Sequence, residues 1–316
     1  MPPLLEARGL SKEFDAGFLK GGAGKVRAVD CVDLAVEEGE TLGLVGESGC
    51  GKTTLARLLV GLLPPTAGTV RIAGSDLSSL TPGVLRRKRR EFQMIFQDPA
   101  ASLDPRQTVG EVLSEPFEVQ DLGTAAERRR WVAELLEAVA LDPADLKRPA
   151  RELSGGQQQR LGIARALALR PRLVVADEPV SALDASVAAQ ICNLLADLQK
   201  QLGLTLVVIS HSLPVIHYLS TRVAVMYLGR IVEEAPASEF FRKPLHPYSQ
   251  LLVQSTSPSA RAAMAREAAP GAPAAGCCFQ PRCPEAMSRC LLESPRLDAC
   301  GKDARVACFL YDESGG

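Results

Sequence analysis

No other stretch of this sequence narrows the range of possible folds as far as GESGCGKT at residues 46–53. The apolar TLGLV before it predicts a strand, and ARLLVGLL after it predicts a helix. Glycines at this spacing let backbone N–H groups turn inward toward phosphate oxygens, and the helix N-terminus adds partial positive charge. The pattern fits a phosphate-binding P-loop. It predicts nucleoside triphosphate binding, with Lys52 on the β- and γ-phosphates and the Thr53 hydroxyl on Mg²⁺.

Two buried strands are predicted to bring further polar groups to the same place. LVVADEP is continuously apolar until Asp177 and Glu178, which indicates a strand of a parallel sheet with acids at its carboxyl end. Asp177 suits Mg²⁺, directly or through water, and Glu178 suits the general base that aligns a water. LTLVVISHS likewise ends near His211, for which we expect a γ-phosphate contact rather than a purely structural role. A third apolar strand ends at Gln97.

The segment LSGGQQQR predicts a second helix N-terminus that could hold an anion. Ser154 is a suitable N-cap, and Gly155 with Gly156 leaves the backbone N–H groups uncovered. From these residues alone, a capped helix without a ligand is the favoured interpretation. Upstream, apolar residues three and four apart in ERRRWVAELLEAVAL predict one face of a helix within a helical insert. Downstream, VAVMYLGRIVEEA predicts a hairpin that turns at residues 228–229.

Composition limits the class of protein. Apolar residues make up 46% and charged residues 23% of 316 residues, with 36 Lys and Arg against 37 Asp and Glu. The resulting net charge of −1 does not favour bulk binding of nucleic acid. No apolar run is long enough for a transmembrane helix, and the start MPPLLEARGL lacks the pattern of a signal peptide. We therefore expect a cytoplasmic protein that reaches a membrane only through a partner.

Six of the nine cysteines lie in the last forty residues: Cys277, Cys278, Cys283, Cys290, Cys300 and Cys308. In a cytosolic protein such a cluster predicts metal binding before disulfides. The spacing fits zinc knuckles poorly and differs from ferredoxin patterns as well. We therefore rank the possible states of this cluster as an iron–sulfur cluster first, bound zinc second and reduced thiols third. A small structural cap without metal is the alternative.

Taken together, these motifs resemble the ATPase subunit of an ATP-binding-cassette (ABC) transporter. GESGCGKT, FQDP, LSGGQ, LVVADEP, SALD and ISH correspond to that family's P-loop, Q-loop, signature, Walker B, D-loop and switch-histidine motifs. QMIFQDPAASLDPR, EPVSALDASVAAQI, HPYSQLL and GCCFQPRCPEAM are similar to the oligopeptide/dipeptide importer subfamily, to which nickel importers are close. The resemblance covers nearly the whole chain.

The resemblance implies roles for individual residues. Phe14 would stack on adenine, Lys52, Gln97, Glu178 and His211 would be catalytic, and Thr53, Gln97 and Asp177 would hold Mg²⁺. The other nucleotide-binding residues would be Gly46, Glu47, Ser48, Gly49, Cys50, Gly51, Thr54, Ser154, Gly156, Gln157 and Asp184. Ser154 and Gly156 would contact the γ-phosphate bound by an opposite subunit. Cys277, Cys283, Cys290 and Cys308 would hold a 4Fe-4S cluster, as in some members of the subfamily.

Because Cys50 lies among phosphate-binding N–H groups, we expect its thiol pKa to be lowered. We also expect bound ATP to protect the thiol from alkylating reagents.

The resemblance also implies an architecture. We expect an α/β fold of the P-loop NTPase class and ABC type, with a mixed or parallel sheet core, an antiparallel β subdomain, a helical subdomain and a short cysteine-rich C-terminal extension. The expected division is a nucleotide-binding domain at 1–255, with helices at about 100–170, a linker at 256–276 and a cysteine-rich tail at 277–316.

The implied function is ATP hydrolysis that powers uptake of oligopeptides or dipeptides. The implied partners are two membrane permeases, a second ATPase subunit that shares two ATP sites and, indirectly, an extracytoplasmic solute-binding protein, with no nucleic acid. The chain would lie peripherally on the cytoplasmic face of the inner or plasma membrane. Transport of nickel or another small solute is one alternative. A soluble ABC ATPase of DNA repair or translation is a second, from another class.

Overall fold

Two β-sheets form the framework of the protein, which we describe from a computed structural model. The structure describes residues 2–15, 25–254 and 276–312, so nearly all of the predicted linker at 256–276 lies outside the described residues. The strands are β1 Leu5–Asp15, β2 Lys25–Val36, β3 Thr41–Val45, β4 Ala67–Ile72, β5 Ser75–Asp76, β6 Phe92–Ile95, β7 Leu173–Asp177, β8 Thr205–Ile209, β9 Arg222–Tyr227, β10 Arg230–Pro236, β11 Asp298–Cys300 and β12 Ala304–Val306.

The larger sheet is mixed and has the order β11-β12-β10-β9-β3-β8-β7-β6. Strands β9, β3, β8, β7 and β6 are parallel, with Leu44 opposite Ile209 and Val175 opposite Val207. Strands β10, β12 and β11 continue the sheet in antiparallel pairs. The smaller sheet is antiparallel, in the order β2-β1-β4-β5. The predicted mixed core sheet and antiparallel subdomain are therefore confirmed.

Helices connect the strands and form a separate layer. They are α1 Lys52–Leu59, α2 Pro82–Lys88, α3 Pro99–Ser102, α4 Val109–Val119, α5 Ala125–Ala138, α6 Gly155–Leu167, α7 Ala185–Leu202, α8 Leu213–Leu219, α9 Ala237–Arg242, α10 Pro247–Gln254 and α11 Arg289–Leu292. Helices α3 to α6 form the predicted helical insert, in which Val132, Leu136 and Val139 are buried. No helix in the described ranges has the length and apolar character needed to cross a bilayer.

Both faces of the central parallel strands are buried, which explains their unbroken apolar sequences. Along β7, Leu173 and Val175 pack with the antiparallel sheet and α1. Val174 and Ala176 face the opposite way and pack with the helical layer. Successive side chains of a strand alternate between the two faces of the sheet. Because both faces are buried here, every residue along the strand must be apolar. Polar residues can therefore appear only where such a strand ends.

Residues 276–312 contribute to the larger sheet. The hairpin of β9 and β10 forms as predicted, turning at residues 228–229. Strand β12 then pairs with β10, with Val306 opposite Glu233 and Arg305 opposite Glu234, and β11 pairs with β12 at the edge. The C-terminal segment is thus an integral part of the sheet that also carries the P-loop.

Arg222 forms a buried ionic network between the sheets. Its guanidinium contacts Glu40 at 2.6 Å and Glu234 at 3.1 Å, and it also donates to the carbonyl of Ala35. The side chain of Glu234 is only 3% exposed, and burial raises the pKa of its carboxyl while Arg222 opposes the rise.

We expect Arg222→Ala to lower the free energy of unfolding by about 3 kcal/mol, because it leaves the buried Glu234 carboxylate with one longer ion pair, to Arg305 at 3.6 Å. Denaturant unfolding measures this loss. Arg172→Ala is the control, since Arg172 and Glu38 form an exposed pair that should contribute less than about 1 kcal/mol. Equal losses in the two variants would contradict the role given to burial.

Candidate active site

Four parallel strands place the predicted site residues at one edge of the larger sheet. The P-loop follows β3, and Gln97 lies two residues beyond β6. Asp177 ends β7 with Glu178 directly after it, and His211 lies two residues beyond β8. Because β3, β8, β7 and β6 are neighbours and parallel, their carboxyl ends meet in one crevice.

Close backbone packing explains two glycines of the P-loop. A Cβ atom at Gly46 would overlap with the carbonyl oxygen of Met226, on β9. A Cβ atom at Gly51 would overlap with the carbonyl oxygen of Ala28, on β2, and Gly51 has φ of 107°, a conformation that side chains disfavour. The loop is therefore held between the two sheets at points where only glycine fits.

Lys52 lies inside the loop that precedes it. Its Nζ donates to the carbonyl oxygens of Gly46 and Glu47, both at 2.8 Å, and the residue is 6% exposed. Ser48 and Gly49 form the turn above it, and Thr54 lies in the first turn of α1. The ammonium group is thus fixed at the N-terminus of α1, where phosphate is favoured.

Thr53 and Asp177 form a pair of oxygen donors suited to Mg²⁺. The Thr53 hydroxyl donates to Asp177 Oδ1 at 3.3 Å, and Asp177 is 2% exposed. Burial raises the pKa of the Asp177 carboxyl; the Thr53 hydrogen bond opposes the rise and the charge of Glu178 adds to it. Hard oxygen ligands of this kind are those that Mg²⁺ prefers, so the residues fit the predicted ion. Gln97, the third predicted ligand, is exposed and follows β6, the strand next to β7.

Glu178 and His211 are brought into direct contact. His211 Nδ1 lies 2.6 Å from Glu178 Oε2. Glu178 has φ of 49°, an uncommon conformation for a residue with a side chain, and its N–H donates to the carbonyl of Ile209 at 2.9 Å. Strained backbone of this kind persists only where neighbours impose it, and it is typical of functional positions. The arrangement holds the Glu178 carboxylate, 12% exposed, at the mouth of the crevice, and its role as general base stays a prediction.

The signature segment forms an exposed helix N-terminus. The Ser154 hydroxyl accepts from the N–H of Gln157 at 3.3 Å, and the Gln157 side chain accepts from the N–H of Ser154 at 2.9 Å. Gly156 allows close packing, because a Cβ atom there would lie 2.6 Å from Val187 on α7, and Asp184 caps that helix. In the part of the chain that the structure describes, no hydrogen bond joins Ser154 or Gln157 to the P-loop. Their predicted role toward a second subunit stays a prediction.

Phe14 is an exposed residue of the antiparallel sheet. It lies near the end of β1, is 42% exposed, and has the ammonium of Lys12 5.4 Å from its ring centroid. Its predicted stacking on adenine stays a prediction.

The predicted lowering of the Cys50 thiol pKa was wrong. Cys50 is 5% exposed and belongs to the core beneath the loop, with its sulfur 3.8 Å from Lys52 Nζ. Burial raises the pKa of this thiol more than Lys52 lowers it. The side chain packs against the loop from the core side instead of sharing the phosphate-binding N–H groups, so the predicted reactivity loses its basis.

Two residues that the sequence did not single out contact the P-loop. Tyr248 Oη, on α10, accepts from the N–H of Glu47 at 2.8 Å. Arg282 forms two hydrogen bonds with the Glu47 carboxylate, at 2.9 and 3.0 Å. The only sequence signal was that both fall in segments similar to the importer subfamily, HPYSQLL and GCCFQPRCPEAM.

The four cysteines named for a cluster line one small cavity together with His246. The cavity measures about 10 Å³, and among the described residues no group of three or more His, Cys, Asp or Glu is arranged to hold a metal ion. A hydrogen bond from Cys278 lowers the pKa of the Cys277 thiol, and His246 contributes to the shift. The four thiols supply donor atoms that suit a metal, but the cavity would have to widen to admit a cluster.

Comparisons with known families match both parts of the chain. Residues 29–181 match the family described as ABC transporter, and residues 232–290 match the oligopeptide/dipeptide transporter C-terminal region. A probable peptide ABC transporter ATP-binding protein of Sinorhizobium fredii is 48% identical, over 97% of this chain and 90% of its own. The oligopeptide transport ATP-binding protein AppF of Bacillus subtilis is 44% identical, over 98% and 97% respectively.

A solved structure has the same fold. The ATP-binding cassette MJ0796, in a dimeric post-hydrolysis state bound to ADP and Pi, is 31% identical, with a TM-score of 0.67 over 74% of this chain and 98% of that one.

We expect Asp177→Asn to raise the stability of the nucleotide-free chain, because it removes a buried carboxylate whose pKa is raised. A raised carboxyl pKa means that the ionised form destabilises the fold, so the gain in stability should be larger at pH 8 than at pH 5.

The same Asp177→Asn variant should lose the Mg²⁺-dependent part of ATP binding. Thermal unfolding with ATP, with and without Mg²⁺, measures both effects. Asp197→Asn, an exposed acid on α7, is the control, and an unchanged Mg²⁺ response in Asp177→Asn would contradict the assignment.

Proposed function

The chain belongs to the ABC transporter family, and from this premise we propose that it is the ATP-hydrolysing subunit of an importer of oligopeptides or dipeptides. One observation carries the proposal: relatives named for peptide transport match this chain over nearly its whole length, including the C-terminal region. The ATPase activity rests on the family and on the site described above.

The site supports hydrolysis through positioning and charge. Lys52 and the N-terminus of α1 neutralise the phosphates, and Thr53 with Asp177 would hold Mg²⁺, which neutralises further charge when bound. Glu178 accepts a proton from the attacking water, since its carboxylate is fixed at the crevice. His211 holds Glu178 through the 2.6 Å contact and stands ready to contact the γ-phosphate.

We propose that two such subunits close around two ATP molecules. The exposed N-terminus of α6 carries Ser154, Gly156 and Gln157, and the Ser154 hydroxyl, whose oxygen accepts from the N–H of Gln157, still has a proton to donate. Asp184, at the start of α7, would support the same interface. The dimeric arrangement of MJ0796 favours this interpretation.

The proposed setting is the cytoplasmic face of a membrane, where two permeases and a second, paralogous ATPase subunit would bind the chain. A solute-binding protein would act indirectly, through the permeases. The likeness to peptide transport proteins favours peptides over nickel or another small solute.

We further propose that the cavity lined by Cys277, Cys283, Cys290 and Cys308 takes a metal, with a 4Fe-4S cluster ahead of zinc. Thiolates are the preferred ligands of both, although a cluster would require the cavity to widen. Iron, acid-labile sulfide and zinc should be measured after anaerobic purification. Cys290→Ser should lose the metal and Cys300→Ser, outside the cavity, should keep it; a metal-free wild-type chain would overturn the proposal.

Glu178→Gln should bind ATP normally yet hydrolyse it about 10²–10⁴-fold more slowly, because the amide cannot accept the proton. Single-turnover hydrolysis and ATP binding measure the two effects separately. Glu137→Gln, an exposed residue of α5, is the matched control. Unchanged turnover in Glu178→Gln would remove Glu178 as the base.

Partners are tested by purifying the Glu178→Gln chain with ATP from gently solubilised membranes and identifying what accompanies it. Two permeases and a second ATPase subunit are expected. The same complex reconstituted with the wild-type chain should hydrolyse ATP faster when its binding protein carries a peptide. Ribosomal or DNA-processing proteins in their place would retain the ATP chemistry and overturn the transport proposal.

A further inference from the structure

We propose that Arg282 is a positioning residue of the P-loop, supplied by the C-terminal segment 276–312. This inference rests on the proposed ATP hydrolysis and adds a requirement to it: the C-terminal segment must be docked on the nucleotide-binding core for full ATP affinity.

All three polar groups of Glu47 are engaged, each by a different part of the chain. Its N–H donates to Tyr248 Oη at 2.8 Å, and its carbonyl accepts from Lys52 Nζ at 2.8 Å. Its carboxylate receives two hydrogen bonds from Arg282. Glu47 is the second residue of the P-loop, so these contacts fix the entry of the loop.

The Arg282 side chain is buried and constrained. It is 6% exposed, and its guanidinium lies 5.7 Å from the ring of Tyr227 and 5.8 Å from that of Phe279. It also donates to the Tyr227 hydroxyl at 3.3 Å. The planar fork of arginine matches a carboxylate in this two-bond geometry, which lysine cannot reproduce. The hydrogen bonds with Glu47 raise the pKa of Arg282, so the cation persists throughout the physiological range.

The pair acts on ATP binding by two physical routes. Without Arg282, the Glu47 carboxylate would be a partly buried, uncompensated negative charge beside the place where a triphosphate binds. In addition, Lys52 donates to the Glu47 carbonyl, so a shift of Glu47 displaces the ammonium that neutralises the phosphates. Both routes weaken ATP binding in the absence of Arg282.

A purely structural role for Arg282, in holding the C-terminal segment to the core, makes a different prediction. Loss of the segment's packing would not depend on whether residue 47 carries a charge. A double-mutant cycle with Glu47 therefore separates the two roles.

The experiment measures ATP affinity and steady-state hydrolysis for the full chain and for Arg282→Gln, Glu47→Gln and the double variant. Arg282→Gln should raise the Kd and KM for ATP about tenfold, with kcat at saturating ATP changed less than about twofold. The double variant, which has no unpaired carboxylate, should recover to within about threefold of the wild-type affinity. Arg282→Lys should lie between wild type and Arg282→Gln.

Arg289→Gln is the matched control, because Arg289 pairs with Glu293 and Asp312 within the same segment and stacks on Phe309. It should leave ATP affinity unchanged. Wild-type affinity in Arg282→Gln, or a double variant as weak as Arg282→Gln, would overturn the inference. Failure of the proposed function is distinct: it would appear as a wild-type chain that does not hydrolyse ATP, while the binding cycle could still be measured.

Discussion

Two backbone contacts that leave no room for a side chain hold the phosphate-binding loop in place. Gly46 lies against Met226 of the larger sheet and Gly51 against Ala28 of the smaller one. The loop is consequently shaped by both sheets at once, and the position of Lys52 depends on how the sheets pack. The other candidate site residues depend on the same arrangement, since His211 follows β8, the neighbour of β3, and Asp177 and Glu178 lie at the end of β7, the next strand along.

Some residues that suit ligand binding at this site lower the stability of the folded chain. Asp177 is buried with a raised carboxyl pKa, and Glu178 adopts an unfavourable backbone conformation. Both are tolerated because they end strands whose two faces are otherwise fully apolar. The free energy from burying those strands exceeds the cost of the polar groups at their ends, which explains why the groups occur at strand ends and not within strands.

The sequence was most informative where function follows from local pattern. A continuously apolar strand followed by acids predicts Asp177 and Glu178 at one sheet edge, and the P-loop spacing predicts Lys52 and Thr53. The contacts of Glu47 could not be predicted in this way, because Tyr248 and Arg282 lie 201 and 235 residues away. The direction of the Cys50 side chain was equally hidden, since it depends on core packing. For Ser154 and Phe14, the expected partner is another chain or a nucleotide, which a single chain does not contain.

The pairing of β12 with β10 affects when the site is completed during synthesis. Arg282 follows Glu47 by 235 residues and residues 304–306 come later still, so both leave the ribosome long after the P-loop. Until then Glu47 lacks its cation and β10 lacks the neighbour on its outer edge. A nascent chain therefore passes through a period in which the nucleotide loop is present without all of its supports. The C-terminal segment closes that period, so the ATP site gains its last supports only after Arg282 and β12 have been synthesised.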